Sequence, residues 1–270
     1  MKATTRNRSQ RWAHRLLAPL LALCAAFGAV TSHANTLDDI QQRGVLKVAV
    51  PQDFPPFGSI GTDMQPQGYD IDMARLIAED LDVDVELIPV TSANRIPFLT
   101  TGKADLVISS LGKNPDRAKV IDFSEPYAPF FNGVFGPADA AVSGADDLQD
   151  QVIAVTRGSI EDLELTKIAP DSATLKRFED NNATISAFLS GQSDLIATGN
   201  VVAAAVGERT SGRDLEVKFL IKNSPCYVGV AKGEDALIAK VNEIIEGAHA
   251  DGRLNDISER WLNAPLPETF

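Results

Sequence analysis

Apolar and polar positions along the chain alternate between two periods. Val45–Val50 reads as a short apolar strand, and Val83, Val85 and Leu87 alternate with polar residues as another. Between them, Met73, Leu76, Ile77 and Leu81 fall on one face at helical spacing, predicting a helix over 70–81. Pro51–Phe57, with its three prolines, is a loop. A short helix over 94–101 tolerates Pro97 in its first turn, and Leu106–Ser109 is the next strand. The second half predicts strands over 152–155, 173–178, 195–198 and 215–220, with helices over 161–168, 182–189 (capped by Asn182) and 201–208. A strand over 226–231 and helices over 236–250 and 253–262 close the chain. Strands alternating with helices imply parallel sheets, and such sheets bind ligands beyond the carboxyl ends of their strands.

One segment occurs twice. Phe98-Leu99-Thr100-Thr101-Gly102-Lys103-Ala104-Asp105 leads into Leu106–Ser110, and Phe188-Leu189-Ser190-Gly191-Gln192-Ser193-Asp194 leads into Leu195–Gly199. Each copy reads as a helix end, a Gly stop, an Asp and an apolar strand that finishes in small polar residues. Leu37-Asp38-Asp39-Ile40 before Val45 likewise matches Ala145-Asp146-Asp147-Leu148 before Val152. The repetition predicts an α/β fold of two similar lobes, each a mainly parallel sheet flanked by helices. The last helices are expected on the first lobe, which makes it discontinuous: 35–130 plus 226–270, with 131–225 as the second lobe. Two chain crossings, near Phe130–Phe135 and Pro225–Gly229, then form a two-stranded hinge.

Residues 1–34 read as an export signal. Lys2, Arg6, Arg8, Arg11 and Arg15 precede an apolar run from Leu16 to Val30 that is too short to span a bilayer, and Ser32-His33-Ala34 fits a cleavage site. An N-terminal anchor and a lipoprotein site at Cys24 are the weaker readings. This places the remainder in the periplasm. The formal net charge of −12 over the whole chain becomes more negative once the basic leader is removed, which disfavours nucleic acid and anionic membrane as partners. Cys226 is the only cysteine after the leader, so no internal disulfide can form, and His249 is the only histidine there. Nothing suggests a metal, a cofactor or a nucleophilic catalytic constellation.

The stretch Thr91-Ser92-Ala93-Asn94-Arg95-Ile96-Pro97 through Asn114–Tyr127 resembles the polar amino-acid branch (family 3) of the periplasmic solute-binding proteins of ABC importers. So do Leu46-Lys47-Val48-Ala49, Gly68-Tyr69-Asp70-Ile71-Asp72, Gly102–Asp105 and Trp261-Leu262, in that order. The Ser92-x-x-Arg95-Ile96-Pro97 stretch is closest to the glutamate/aspartate-binding members. The resemblance implies a type II periplasmic-binding-protein fold, related to that of ligand-gated ion channels. It implies a monomer that takes its ligand between the lobes and delivers it to membrane permease subunits.

The resemblance also implies site residues. Arg117 would hold a ligand carboxylate, as its planar fork suits, with the hydroxyl and N–H of Ser110 and the N–H of Gly112. Its rival reading is an ion pair with Asp116 or Asp122. Arg95, assisted by Ser92, would hold a side-chain carboxylate. Phe54 would cover the ligand's aliphatic part, with Phe57 in the core. Gly158, Ser159 and Ile160 would present backbone N–H groups to an anion. Asn181 is a polar contact or a helix cap, and Asn200 carries the same two readings. Gly199 departs from the family, where an Asp usually pairs with the ligand's ammonium; Asp53 or Glu161 are the acids available instead. Both arginines lie in the first lobe, so it is expected to hold most of the ligand. The reading that follows is a binding protein for a polar, acidic or amide amino acid or a related small carboxylate. The alternatives are a dehydratase of the cyclohexadienyl type on the same scaffold and a ligand-sensing protein.

Overall fold

The two copies of the repeat occupy the same place in two separate sheets. The computed structural model describes residues 36–209 and 215–268; the leader predicted over 1–34 lies outside them. In the first sheet Leu106–Leu111 pairs parallel with Val45–Pro51, which pairs parallel with Asp84–Val90. In the second, Leu195–Gly199 pairs parallel with Val152–Thr156, which pairs parallel with Thr174–Phe178. The other flank of each sheet is antiparallel. Cys226–Ala231 lies between Leu106–Leu111 and Ile121–Ala128, and Phe131–Pro137 lies between Leu195–Gly199 and Leu215–Asn223. Both sheets therefore have five strands in matching order.

Both faces of each sheet are covered, which is why the central strands read as near-continuous apolar runs. Leu46, Val48 and Val50 pack on one face with Ile71 and Ile77 of the helix Tyr69–Asp80. Val241 and Ile244 of Asp235–Ala250 and Leu254 of Arg253–Leu262 join the same core, so the closing helices sit on the first sheet. Ala49, Val107 and Leu111 face the other way, onto Leu99 of the helix Arg95–Thr100. The second sheet splits likewise by period two: Ile153, Val155, Leu195 and Ala197 on one face, Ala154 and Ile196 with Phe188 on the other.

The structure differs from expectation in three places. Ile121–Ala128 and Phe131–Pro137 are strands. The chain passes between the sheets at residues 129–130 and 224–225, and both segments expected at the crossings lie mostly in strands, Phe131–Pro137 and Cys226–Ala231. Pro126 breaks the local pattern of Ile121–Ala128, and it is tolerated because that strand is an edge. The helix predicted to be capped by Asn182 runs Asn181–Leu189 and is capped by Asp180, whose side chain accepts from the Ala183 N–H at 2.7 Å. Three consecutive capping-competent residues leave that choice to tertiary contacts.

Candidate functional site

The carboxyl ends of the parallel strands from both sheets converge on one small cavity. From the first sheet it is lined by Asp53, Phe54, Ser92, Arg95, Ser109 and Ser110, and from the second by Asn132, Thr156, Ser159, Ile160, Glu161 and Asn181. Phe130, in the crossing segment, forms part of the wall.

Arg95 opens the helix Arg95–Thr100 and is buried. Its Nε donates to the Ser92 carbonyl at 3.2 Å and its Nη1 to the Ser109 carbonyl. Nη2 has no hydrogen-bond partner among the described residues, so one edge of the fork is available to a ligand. Burial pulls its pKa down, opposed by the carboxylates of Glu161, Asp70 and Asp53. A guanidinium remains a cation under these conditions, so Arg95 is the positive centre of an acidic surround.

Asp70 is one of those acids and is fully buried. It accepts from the Ser110 N–H at 2.7 Å, the Ser110 hydroxyl at 3.1 Å and the Tyr127 hydroxyl at 2.5 Å. Burial nonetheless drives its pKa up to about 7. Ser110 reaches this acid with a φ of 42°, a left-handed backbone unusual for serine at a strand end. Both Ser110 donors expected to serve a ligand carboxylate are thus engaged by Asp70.

Arg117 is buried beside the cavity rather than lining it. Asn114 caps its short helix by accepting from the Arg117 N–H at 2.8 Å. The guanidinium donates to the Gly112 carbonyl at 2.8 Å and, across the cleft, to the Gly158 carbonyl at 2.9 Å. Burial, then the neighbouring Arg95 cation, lower its pKa, and Glu161 and Glu164 oppose them. Arg117 therefore ties the lobes together. Asn181 does so as well: its N–H and Nδ2 both donate to Asp53 Oδ2, at 2.7 and 3.1 Å. Its Oδ1 accepts from the Thr156 hydroxyl at 2.8 Å, so the whole amide is committed.

The turn before the helix Ile160–Ile168 is also internally satisfied. Ser159 Oγ accepts from the Asp162 N–H at 3.1 Å, and the Gly158 N–H donates to Asp162 Oδ2 at 2.9 Å. Gly112 lies against Ile160; a Cβ at 112 would stand 2.7 Å from Ile160 Cγ1. The two sides of the cleft thus meet here in a backbone–methylene contact.

Gly199 has a steric explanation. A Cβ there would fall 1.9 Å from Phe130 Cζ, so the aromatic ring occupies the space a side chain would need. Asn200 Oδ1 accepts from the Phe131 N–H at 3.1 Å, fastening the crossing segment to the second sheet.

Of the residues expected at the site, Phe54, Ser92, Arg95, Ser110, Ser159, Ile160 and Asn181 line the cavity, whereas Gly112, Arg117, Gly158, Gly199 and Asn200 are not among its lining residues. Phe57 is fully buried in the core and stacks on Phe54 at 6.0 Å. Asp53 and Glu161 both line the cavity. Sequence reasoning missed the roles of Asp70, Thr156 and Asn132. The acid in Gly68-Tyr69-Asp70 was a visible motif, whereas nothing local marks Asn132. No group of three or more metal-ligating side chains occurs among the described residues.

A family model described as bacterial extracellular solute-binding proteins, family 3, matches residues 46–264. The glutamine-binding protein of Geobacillus stearothermophilus is 30% identical over 204 residues, 73% of this chain and 77% of that protein. The ABC transporter glutamine-binding protein GlnH of Bacillus subtilis is 27% identical over 254 residues, 90% of this chain and 92% of that protein. Among solved structures, the ancestral amino acid-binding protein AncCDT-1, a precursor of cyclohexadienyl dehydratase, superposes with a TM-score of 0.76 at 31% identity, covering 84% of this chain and 99% of that one. The two-lobed α/β architecture is that of type II periplasmic binding proteins. The expected kinship to a ligand-gated ion-channel fold is corrected: the matched family consists of extracellular solute-binding proteins, and no helix among the described residues is long and apolar enough to cross a membrane. The match spans nearly the whole described chain, and the chain belongs to the bacterial extracellular solute-binding proteins of family 3.

Proposed function

We propose that this chain is the substrate-binding component of an ABC importer, exported to the periplasm by a cleaved signal over residues 1–34. It takes an amino acid or a related small carboxylate between two lobes, 35–130 with 226–270 and 131–225, and hands it as a monomer to membrane permease subunits. One observation carries this reading: a cavity shared by both sheets holds a buried arginine, Arg95, with a free Nη2 edge. A guanidinium edge recognises a carboxylate. The closing contacts Arg117–Gly158 and Asn181–Asp53 join the two sides of that cavity, as a clamp requires. Relatives named as glutamine-binding proteins support the amino-acid class.

The test is a thermal-shift and calorimetric panel of the twenty amino acids with succinate and glutarate. At least one compound raises the Tm of the wild type, and Arg95→Ala removes that shift. No response from the whole panel would defeat the reading. The likeness to a dehydratase precursor favours a second reading, dehydration of prephenate; turnover of prephenate by the purified chain would put it first.

A further inference from the structure

Across the cavity from Arg95 lies a group of acceptors that the protein satisfies only in part. Glu161, in the first turn of the helix Ile160–Ile168, is 5% exposed and lines the cavity. Its Oε1 accepts from Asn132 Nδ2 at 2.8 Å, and its Oε2 has no hydrogen-bond partner among the described residues. That bond fixes the Asn132 amide, since its Nδ2 is the donor. The amide oxygen, Asn132 Oδ1, is left buried and without a partner, in a residue only 3% exposed that also lines the cavity. Buried acceptors of this kind are rare and call for an explanation.

The protein supplies no remedy of its own. Arg95 and Arg117 are the cations that feel Glu161, but three of their donor atoms and the Arg95 Nε already serve the backbone carbonyls of Ser92, Ser109, Gly112 and Gly158. Of their nitrogens, Arg95 Nη2 and Arg117 Nε are the two left uncommitted among the described residues, and Arg117 does not line the cavity. The acid at the start of a helix would gain from the helix dipole alone, but the dipole does nothing for Asn132 Oδ1. What the site lacks is a compact cation with several N–H donors.

We infer that Glu161 and the Asn132 side-chain oxygen form the subsite for the α-ammonium group of a zwitterionic ligand. The ligand's carboxylate then lies toward Arg95 Nη2, and the second lobe contributes charge recognition as well as closure. This rests on the amino-acid reading above and narrows it to ligands that keep their amine.

The experiment compares each amino acid that binds with its amine-free counterpart, for example L-glutamate with glutarate and L-glutamine with glutaramic acid, by calorimetry at neutral pH. Wild type should prefer the amine by about tenfold to a hundredfold, the range for a buried hydrogen bond to a charged group. Glu161→Gln, which keeps the acceptor for Asn132 Nδ2, should reduce that preference at least tenfold. Asn132→Ala is the second variant, with circular dichroism confirming that each folds, and it should lower the same ratio. Wild type binding both members of a pair equally would overturn the inference and leave the amino-acid or carboxylate reading standing. So would Glu161→Gln keeping the wild-type ratio, or Asp53→Asn abolishing it in place of Glu161→Gln. Failure of every amino acid to bind would overturn both.

Discussion

Ser110 and Gly199 stand at the carboxyl-terminal ends of equivalent strands, Leu106–Leu111 and Leu195–Gly199, and their surroundings are opposite. Ser110 turns its N–H and hydroxyl onto a buried acid, next to a buried arginine. Gly199 has no side chain to offer, and the Phe130 ring fills the place where one would project. On the second side the polar groups at the cavity come from other elements: Asn132, one strand over, and Glu161, in the helix after Val152–Thr156. A repeated topology fixes where strands end; a residue from outside the repeat, here an aromatic in the crossing segment, decides what chemistry fits there.

The contrast can be tested first at its polar end, where the effect is largest. Asp70 has a pKa raised to about 7 from an ordinary 3.8, so the native protein holds a proton that the unfolded chain releases between those values. The stability from this group is fully present below about pH 4 and is lost as pH rises through about 7, a change on the order of 4 kcal/mol. Asp70→Asn keeps an acceptor for Ser110 and cannot ionise. Its Tm should therefore fall less than that of wild type between pH 5 and pH 8; parallel curves would show that Asp70 is ionised throughout.

The apolar end comes next. Gly199→Ala forces Phe130 to move and should cost about 1–3 kcal/mol in urea unfolding. Adding Phe130→Ala removes the clash, so the double variant should lose less than the sum of the singles by at least about 1 kcal/mol. Strict additivity would mean that the ring does not hold position 199. The smallest effect is expected at the seam between the lobes. Gly112→Ser pushes on Ile160 and should cost about 1 kcal/mol, and Ile160→Ala in the same chain should recover part of it, as read by chemical denaturation.

Much of the fold was legible because its elements carry their own periodicity. Tyr69–Asp80 and Asp235–Ala250 fall within a residue or two of their expected limits, and the repeat located Leu106–Leu111 and Leu195–Gly199. Ile121–Ala128 and Phe131–Pro137 were illegible for the opposite reason. Their partners, Cys226–Ala231 and Leu215–Asn223, lie some way along the chain, and Pro126 interrupts the local pattern. The site divides along the same line. Arg95 and Ser92 sit in one local motif and reach the cavity together. Asn132 matters only because its strand lies beside Leu195–Gly199, a pairing that no local signal announces. The capping of Asn181–Leu189 by Asp180 belongs with these, since Asn181 is committed to Asp53, 128 residues away.

The return of the chain to the first sheet has a consequence in time. Cys226–Ala231 is inserted between Leu106–Leu111 and Ile121–Ala128, two strands synthesised about a hundred residues earlier. The second sheet is built from one uninterrupted stretch, Phe131–Asn223, and can assemble as soon as that stretch has emerged. The half of the molecule that starts first is thus the half that finishes last, waiting with an open seam for its final strand.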